Sequence, residues 1–314
     1  MIYIGIDVGG TTVKTGAVDE QGNILAKAVR PTGVERGYGP MIQDMGEMAI
    51  EVTRESGHTM ADVKAIGIGI PGIMDPRTGR VPFCTNLNWH DVPILDEMKK
   101  YVDVPVFVDN DATVAGLAES VAGVSAGVKN SVFITLGTGV GGGIVLDGKV
   151  YSGPHGVASE VGHMITVAGG ELCTCGARGC WERYASATAL IREGRKLAQD
   201  KPWSAIAKQA GGDLENIEAR TVIDLAKAGD PECSQLFDNY VYHLCVGLVN
   251  LINLYDPEVI VLGGGVSRAG EFLLNAVRAK LPGMVFFKTM PYARIELAQL
   301  SNDAGIIGAA MLGR

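Results

Sequence analysis

The sequence has no basic run longer than Lys99-Lys100, and 27 basic residues face 35 acidic ones, a net charge of −8. Nucleic-acid binders carry a basic patch or stripe, so nucleic acid is not an expected partner. The opening, Met1-Ile2-Tyr3-Ile4-Gly5-Ile6-Asp7, lacks the basic start and apolar core of an export signal. No stretch is apolar enough to span a bilayer. The most apolar later run, residues 240–255, carries His243, Asn250 and Asn253. Low-complexity segments and Pro- or Ser-rich linkers are missing too. The expectation is a cytoplasmic protein with no membrane partner, whose thiols stay reduced. That makes one stretch conspicuous: "LCTCGARGC", residues 172–180, holds three of the six cysteines.

What is present is 314 residues, 47% of them hydrophobic, enough for one large domain or two lobes. Short apolar runs at residues 2–7, 14–18 and 23–29 are split by turns at Gly9-Gly10 and Gln21-Gly22, which predicts a hairpin meander. Residues 40–56 have helical periodicity. Residues 65–70 and 104–109 read as strands, and 112–124 as a helix after Asn110-Asp111. This alternation predicts an α/β architecture. Residues 132–150 repeat the opening layout of strand, glycine turn and strand, as if two related lobes faced each other across a cleft. Leu244, Leu248, Leu251 and Tyr255 recur at helical spacing and predict a buried helix ending at Asp256-Pro257. A third glycine run, Gly263-Gly264-Gly265, follows a strand and precedes a helix expected over residues 268–281.

Gly137-x-Gly139-x-x-Gly142 satisfies the dinucleotide fingerprint, but that motif must open a helix. Here Ile144 to Leu146 are apolar, and Asp147-Gly148 is a hairpin turn. A phosphate loop of the P-loop kind is excluded because Val13 stands before Lys14-Thr15 where glycine is required. The remaining reading is a phosphate-binding β-hairpin used twice. Glycines let backbone N–H groups approach phosphate oxygens, and Thr11, Thr12 and Thr138 add hydroxyl donors. Asp7, at a strand end, is placed to hold Mg²⁺ through water.

His163 with Cys173, Cys175 and Cys180 supplies the four ligands of a closed tetrahedral Zn²⁺ site, favoured over a disulfide in a reduced compartment. The ion would be structural, fixing a loop that presents Glu160, His163 and Glu182 as a polar pocket wall. Cys84, Cys233 and Cys245 sit singly in apolar segments and read as core.

Taken together, Asp7-Val8-Gly9-Gly10-Thr11, Asn110-Asp111, Leu136-Gly137-Thr138-Gly139, Glu160-Val161-Gly162-His163, the run from Cys173 to Glu182, and Leu262-Gly263-Gly264-Gly265 resemble the ROK sugar kinases over the whole chain. The closest likeness is to bacterial ROK glucokinases, within the actin/hexokinase/Hsp70-like ATPase superfamily. The resemblance implies a two-lobed actin-like ATPase (ribonuclease H-like) α/β fold with a cleft and a zinc-bound loop. The expected lobes are residues 1–111 plus 302–314, small, and 112–301, large.

The resemblance further implies ATP- and Mg²⁺-dependent phosphorylation of a hexose 6-hydroxyl, glucose first. N-acetylmannosamine, N-acetylglucosamine, fructose or allose are alternatives, as is a non-enzymatic sugar sensor. Asp111 would be the base. Gly72, Asn86, Asn110, Asp111, Glu160, His163 and Glu182 would bind sugar, with Asn88 competing for the role of Asn86. Asp7, Gly9, Gly10, Thr11, Thr12, Lys14, Gly137, Thr138, Gly139, Gly263, Gly264 and Gly265 would hold the nucleotide phosphates. A homodimer or homotetramer is the family habit. ROK repressors carry a helix-turn-helix segment before the sugar-binding part; the Asp-x-Gly-Gly-Thr strand opening at Met1 makes an enzyme the expectation.

Overall fold

Strands β1 (Ile2–Val8), β2 (Thr12–Val18) and β3 (Ile24–Pro31) form the meander, followed by helix α1 (Tyr38–Glu55) and strand β4 (Val63–Ile70) in a computed structural model that describes all 314 residues. A hairpin of β5 (Val81–Cys84) and β6 (Trp89–Val92) leads through α2 (Ile94–Met98) to β7 (Val106–Asn110) and α3 (Asp111–Ala122). Strands β8 (Ser131–Leu136), β9 (Val140–Leu146) and β10 (Lys149–Val150) repeat the opening layout. Helices α4 (Glu182–Ala185), α5 (Ala187–Asp200), α6 (Ala205–Ala210), α7 (Ala219–Lys227) and α8 (Pro231–Tyr255) follow. The chain ends with β11 (Val259–Gly263), α9 (Glu271–Lys280), β12 (Arg294–Leu297) and α10 (Ala304–Met311).

The first compact unit comprises Met1–Phe133, Gly143–Ser159 and Gln299–Arg314. Its sheet has the order β3-β2-β1-β4-β7. β1 is antiparallel to β2 and parallel to β4, which is parallel to β7. Edge strand β3 alternates half-buried and exposed residues, whereas all but one of the residues of β1 are buried. The difference follows from cover on both faces of the sheet centre. Met41, Ile42, Met45 and Met48 of α1 pack with Ile2, Ile4 and Ile6 in one core. Ile306, Ile307 and Ala310 of α10 pack with Tyr3, Val18 and Ala65 in another.

Glycines let α10 lie directly on the strands. A Cβ at Gly5 would sit 1.9 Å from the Ile306 carbonyl oxygen, and one at Gly67 only 1.7 Å from that of Ala309. The sheet register sets Asp7 opposite Lys14 on one side and Gly69 on the other, and Gly69 beside Asp109. The carboxyl ends of the parallel strands β1, β4 and β7 therefore gather Asp7, Pro71-Gly72 and Asp109-Asn110-Asp111, the end where open α/β sheets bind ligands.

The second unit comprises Ile134–Gly142 and Glu160–Ala298. The second sheet has the order β10-β9-β8-β11-β12, and the unit boundary runs through β8 and β9. Leu244, Leu248 and Leu251 of α8 are buried, as their spacing predicts, whereas Tyr255, in the last turn, is half-buried. The helix begins at Pro231, capped by Asp230, well before the apolar run that revealed it. The helix expected over residues 268–281 is broken in two by Gly270 at φ 67°, leaving a 3-10 turn over Val266–Ala269 ahead of α9. Cys84, Cys233 and Cys245 are buried free thiols, as expected. No helix is long and apolar enough to cross a membrane.

Candidate active site

In the first unit, the turn between β1 and β2 is closed by the Gly9 N–H on the Thr12 carbonyl at 2.9 Å. Buried Thr32 clamps it from β3's end: its hydroxyl donates to the Gly9 carbonyl at 2.6 Å and its N–H to that of Thr11. Gly10 and Thr11 are left exposed at the tip. Lys14 Nζ lies 3.6 Å from Asp7 Oδ2. Burial raises the Asp7 carboxyl above its ordinary value, with Lys14 opposing the rise.

Asn110 caps α3, its side-chain oxygen accepting the Ala112 N–H at 2.9 Å, and its amide donates to the Gly72 carbonyl at 3.3 Å. Asp111 is the first residue of α3, exposed, and also accepts the Ala112 N–H, at 2.7 Å. Asn86 is exposed in the 3-10 turn Thr85–Leu87, and its carbonyl would lie 3.7 Å from a Cβ on Gly10. Asn88 instead closes that turn in the left-handed region at φ 51°, a backbone role that accounts for an asparagine there. Gly72, Asn86, Asn110 and Asp111 thus cluster with the first glycine turn.

In the second unit, His163, Cys173, Cys175 and Cys180 bring their ligand atoms within 4.8 Å of one another. Cys173 Sγ is 3.7 Å from His163 Nδ1, and Cys175 Sγ 3.6 Å from Cys180 Sγ. A tetrahedron with Zn–S of about 2.3 Å separates neighbouring thiolates by roughly 3.7 Å, so the donor set fits zinc. Without a cation, burial pushes the Cys180 thiol up to about 12, while the Ala177 N–H holds exposed Cys175 below its ordinary value. A bound divalent ion turns such thiols into thiolates.

The loop is anchored by buried Trp181. Its indole N–H donates to the His243 carbonyl at 2.8 Å, and its ring fills the space that a Cβ on Gly247 of α8 would occupy at 2.0 Å. Trp181 thereby fixes Glu182. Glu182 Oε2 accepts the Val140 N–H at 3.1 Å, and Oε1 lies 3.9 Å from Cys173 Sγ. His163 turns Nδ1 to the thiols and Nε2 toward Glu160 Oε2, 4.0 Å away. Burial raises the Glu160 carboxyl; His163 opposes this and Glu182 adds to it.

The second and third glycine runs also meet. A Cβ on Gly264, at φ 84°, would lie 2.6 Å from the Leu136 nitrogen, beside Gly137. Gly137 and Thr138 are pinned from α5: the Ala187 N–H donates to the Gly137 carbonyl and the Thr188 hydroxyl to that of Thr138, at 2.8 and 2.7 Å. Gly139 leaves room for Glu182, whose Oε2 would be 2.2 Å from a Cβ there. The predicted residues thus form two sets, one per unit. Thr32, Thr188 and Trp181 are the supports that sequence reasoning did not assign; only Trp181, inside the cysteine motif, carried a signal.

The chain as a whole is similar to known proteins. Glucokinase of Thermotoga maritima is 37% identical over 313 residues, covering 98% of this chain and 96% of that one. A ROK family glucokinase from Streptomyces griseus, solved with glucose and AMPPNP, superposes with a TM-score of 0.80 at 36% identity, covering 99% of both chains. The ROK hexokinase of Thermus thermophilus superposes with a TM-score of 0.87 at 33% identity, covering 100% of this chain and 97% of that one. The ROK family model matches residues 3–314. With motifs, fold and full-length likeness in agreement, the chain belongs to the ROK family and has its actin-like ATPase fold.

Proposed function

We propose that this protein is a glucokinase, transferring the γ-phosphoryl group of ATP to the 6-hydroxyl of glucose. The observation that carries the reading is Asp111: a carboxylate at a helix N-terminus, next to the capping Asn110 and clustered with the first glycine turn. Asp111 accepts the 6-hydroxyl proton as that oxygen bonds to the γ-phosphorus and the bond to the β-phosphate oxygen breaks. ADP leaves, and the proton stays on Asp111. Positioning and electrostatics carry most of the catalysis in such transfers.

Gly72, Asn86, Asn110, Glu160, His163 and Glu182 are the residues assigned to the sugar. The phosphates lie on the N–H groups and hydroxyls of Gly9 to Thr12, on Lys14, on Gly137 to Gly139 and on Gly263 to Gly265. Asp7 would hold Mg²⁺ through water, and the ion would supply positive charge toward those phosphates. His163, Cys173, Cys175 and Cys180 would hold zinc, which would tie the loop together and set the His163 tautomer.

Product analysis with ATP, Mg²⁺ and a panel of glucose, N-acetylmannosamine, N-acetylglucosamine, fructose and allose tests the proposal. Glucose 6-phosphate as the best product is expected. Turnover of another hexose would keep the mechanism and replace the substrate; no turnover of any, with sugar still bound, would leave a sensor.

A further inference from the structure

Asp109, one residue before the capping Asn110, is a half-buried carboxylate that the chemistry above does not use. Its Oδ1 accepts the Asn110 N–H at 2.7 Å, and its Oδ2 accepts the Ser152 hydroxyl at 2.6 Å. Ser152 follows β10 and opens a closed loop. Its carbonyl accepts the Ala158 N–H at 3.0 Å, and the Ser159 hydroxyl donates to the Tyr151 carbonyl at 3.1 Å. Ser159 is held in the left-handed region at φ 75°, a strain that persists only where surroundings impose it. The next residue is Glu160. One carboxylate thus binds both the backbone beside Asp111 and the loop that delivers Glu160.

We propose that Asp109 is a positioning residue that locks the catalytic Asn110-Asp111 pair and, through Ser152, the 151–159 loop leading to the sugar-binding Glu160. The proposal rests on the reading of Asp111 as base and Glu160 as sugar ligand. A purely structural role fits the chemistry poorly. Burial raises the Asp109 carboxyl above its ordinary value, so the charged form costs stability in the fold. An asparagine would satisfy both partners without that cost. A carboxylate offers two strong acceptors aimed apart, which is what a rigid link between two segments needs.

The link has space around it. Asp109 and Ser152 line a cavity of about 630 Å³ with Met74, Val106, Tyr151 and Pro154. That room permits a conservative rescue. Ser152→Ala removes the hydroxyl and frees the loop alone. Ser152→Thr keeps the hydroxyl and places its methyl in the cavity. Asp109→Leu, similar in size, releases Asn110 as well.

Steady-state kinetics on the full chain, with amide exchange on the sugar-free protein, test the proposal. Ser152→Ala is expected to raise KM for glucose roughly tenfold or more, since misplacing a binding group by about 1 Å is costly, with KM for ATP unchanged. Ser152→Thr is expected to restore the wild-type KM. Asp109→Leu is expected to lower kcat in addition. Exchange at residues 158–160 is expected to speed up in Ser152→Ala and not in Ser152→Thr. Wild-type glucose KM and wild-type exchange in Ser152→Ala would overturn the link, as would equal losses in Ser152→Ala and Ser152→Thr. If wild type turns over no hexose, the functional reading fails on its own, and the exchange pattern alone decides the link.

Discussion

Cys175→Ser is the mildest way to remove one zinc ligand. Cys175 is the exposed thiol of the three, whereas Cys173 and Cys180 are buried, so serine there disturbs no core packing. The other three ligands remain. Structural zinc sites contribute about 10–16 kcal/mol, so one ligand in four is worth roughly 3 kcal/mol, on the order of 10²-fold in metal affinity. The rest of the unit should stay folded, because Trp181 is anchored to α8 by its own hydrogen bond and by the Gly247 groove. Glu182 keeps its bond from Val140 but loses the ordered Cys173 beside it. His163 loses the ion that fixes its tautomer. The expected result is a 10- to 100-fold rise in glucose KM, the range for supporting groups around a metal, with little change in KM for ATP. Elemental analysis of dialysed protein measures zinc, and coupled kinetics measure KM. One zinc per chain in wild type, a loss in the variant and a weaker glucose KM are expected. Wild-type protein that binds glucose normally with no zinc and titratable thiols would refute the reasoning.

Thr32→Val removes the hydroxyl that clamps Gly9 and is expected to raise KM for ATP several-fold, from a lost hydrogen bond of about 1–1.5 kcal/mol, while leaving glucose binding measured by calorimetry unchanged. Gly67→Ala places a Cβ 1.7 Å from the Ala309 carbonyl oxygen, so α10 must move; a loss of about 3 kcal/mol, near the upper end for overpacking, is expected in denaturant unfolding. Asp109→Asn keeps both hydrogen bonds and removes a carboxyl whose folded value is raised by burial from the ordinary 3.8. A raised acid favours the fold only while protonated, so wild type loses stability as pH rises from about 3.8 through the raised value. The variant is therefore expected to have the higher Tm at pH 7, and the gap is expected to close below pH about 3.8; an equal Tm at pH 7 would count against it.

The glycine turns were legible because they are local: Gly9-Gly10 and Gly137 to Gly139 each join two apolar runs short enough to be strands. The His-Cys loop was legible because its thiols lie within eight residues. Its geometry then required only that His163 come near, which the contact at 3.7 Å supplies. What escaped the sequence depends on residues far apart in the chain. Thr32 acts on Gly9, Thr188 on Thr138, and Ser152 on Asp109 across 43 positions. None of these has a local pattern. The early half of α8 was missed because its exposed polar residues hide the apolar period, and the break at Gly270 because one glycine inside a periodic stretch is usually tolerated.

The central claim is that Asp111 is the base. Asp111→Asn keeps the size of the side chain and an acceptor for the Ala112 N–H, but cannot take a proton. Glucose binding by calorimetry and glucose 6-phosphate formation with saturating ATP and Mg²⁺, on the same preparation, separate the two roles. Removing a general base costs about 10²–10⁴-fold in rate. The expected result is that fall in kcat with glucose affinity largely preserved. A folded variant that binds glucose and phosphorylates it at near wild-type rate would contradict the claim and reduce Asp111 to a helix-start residue.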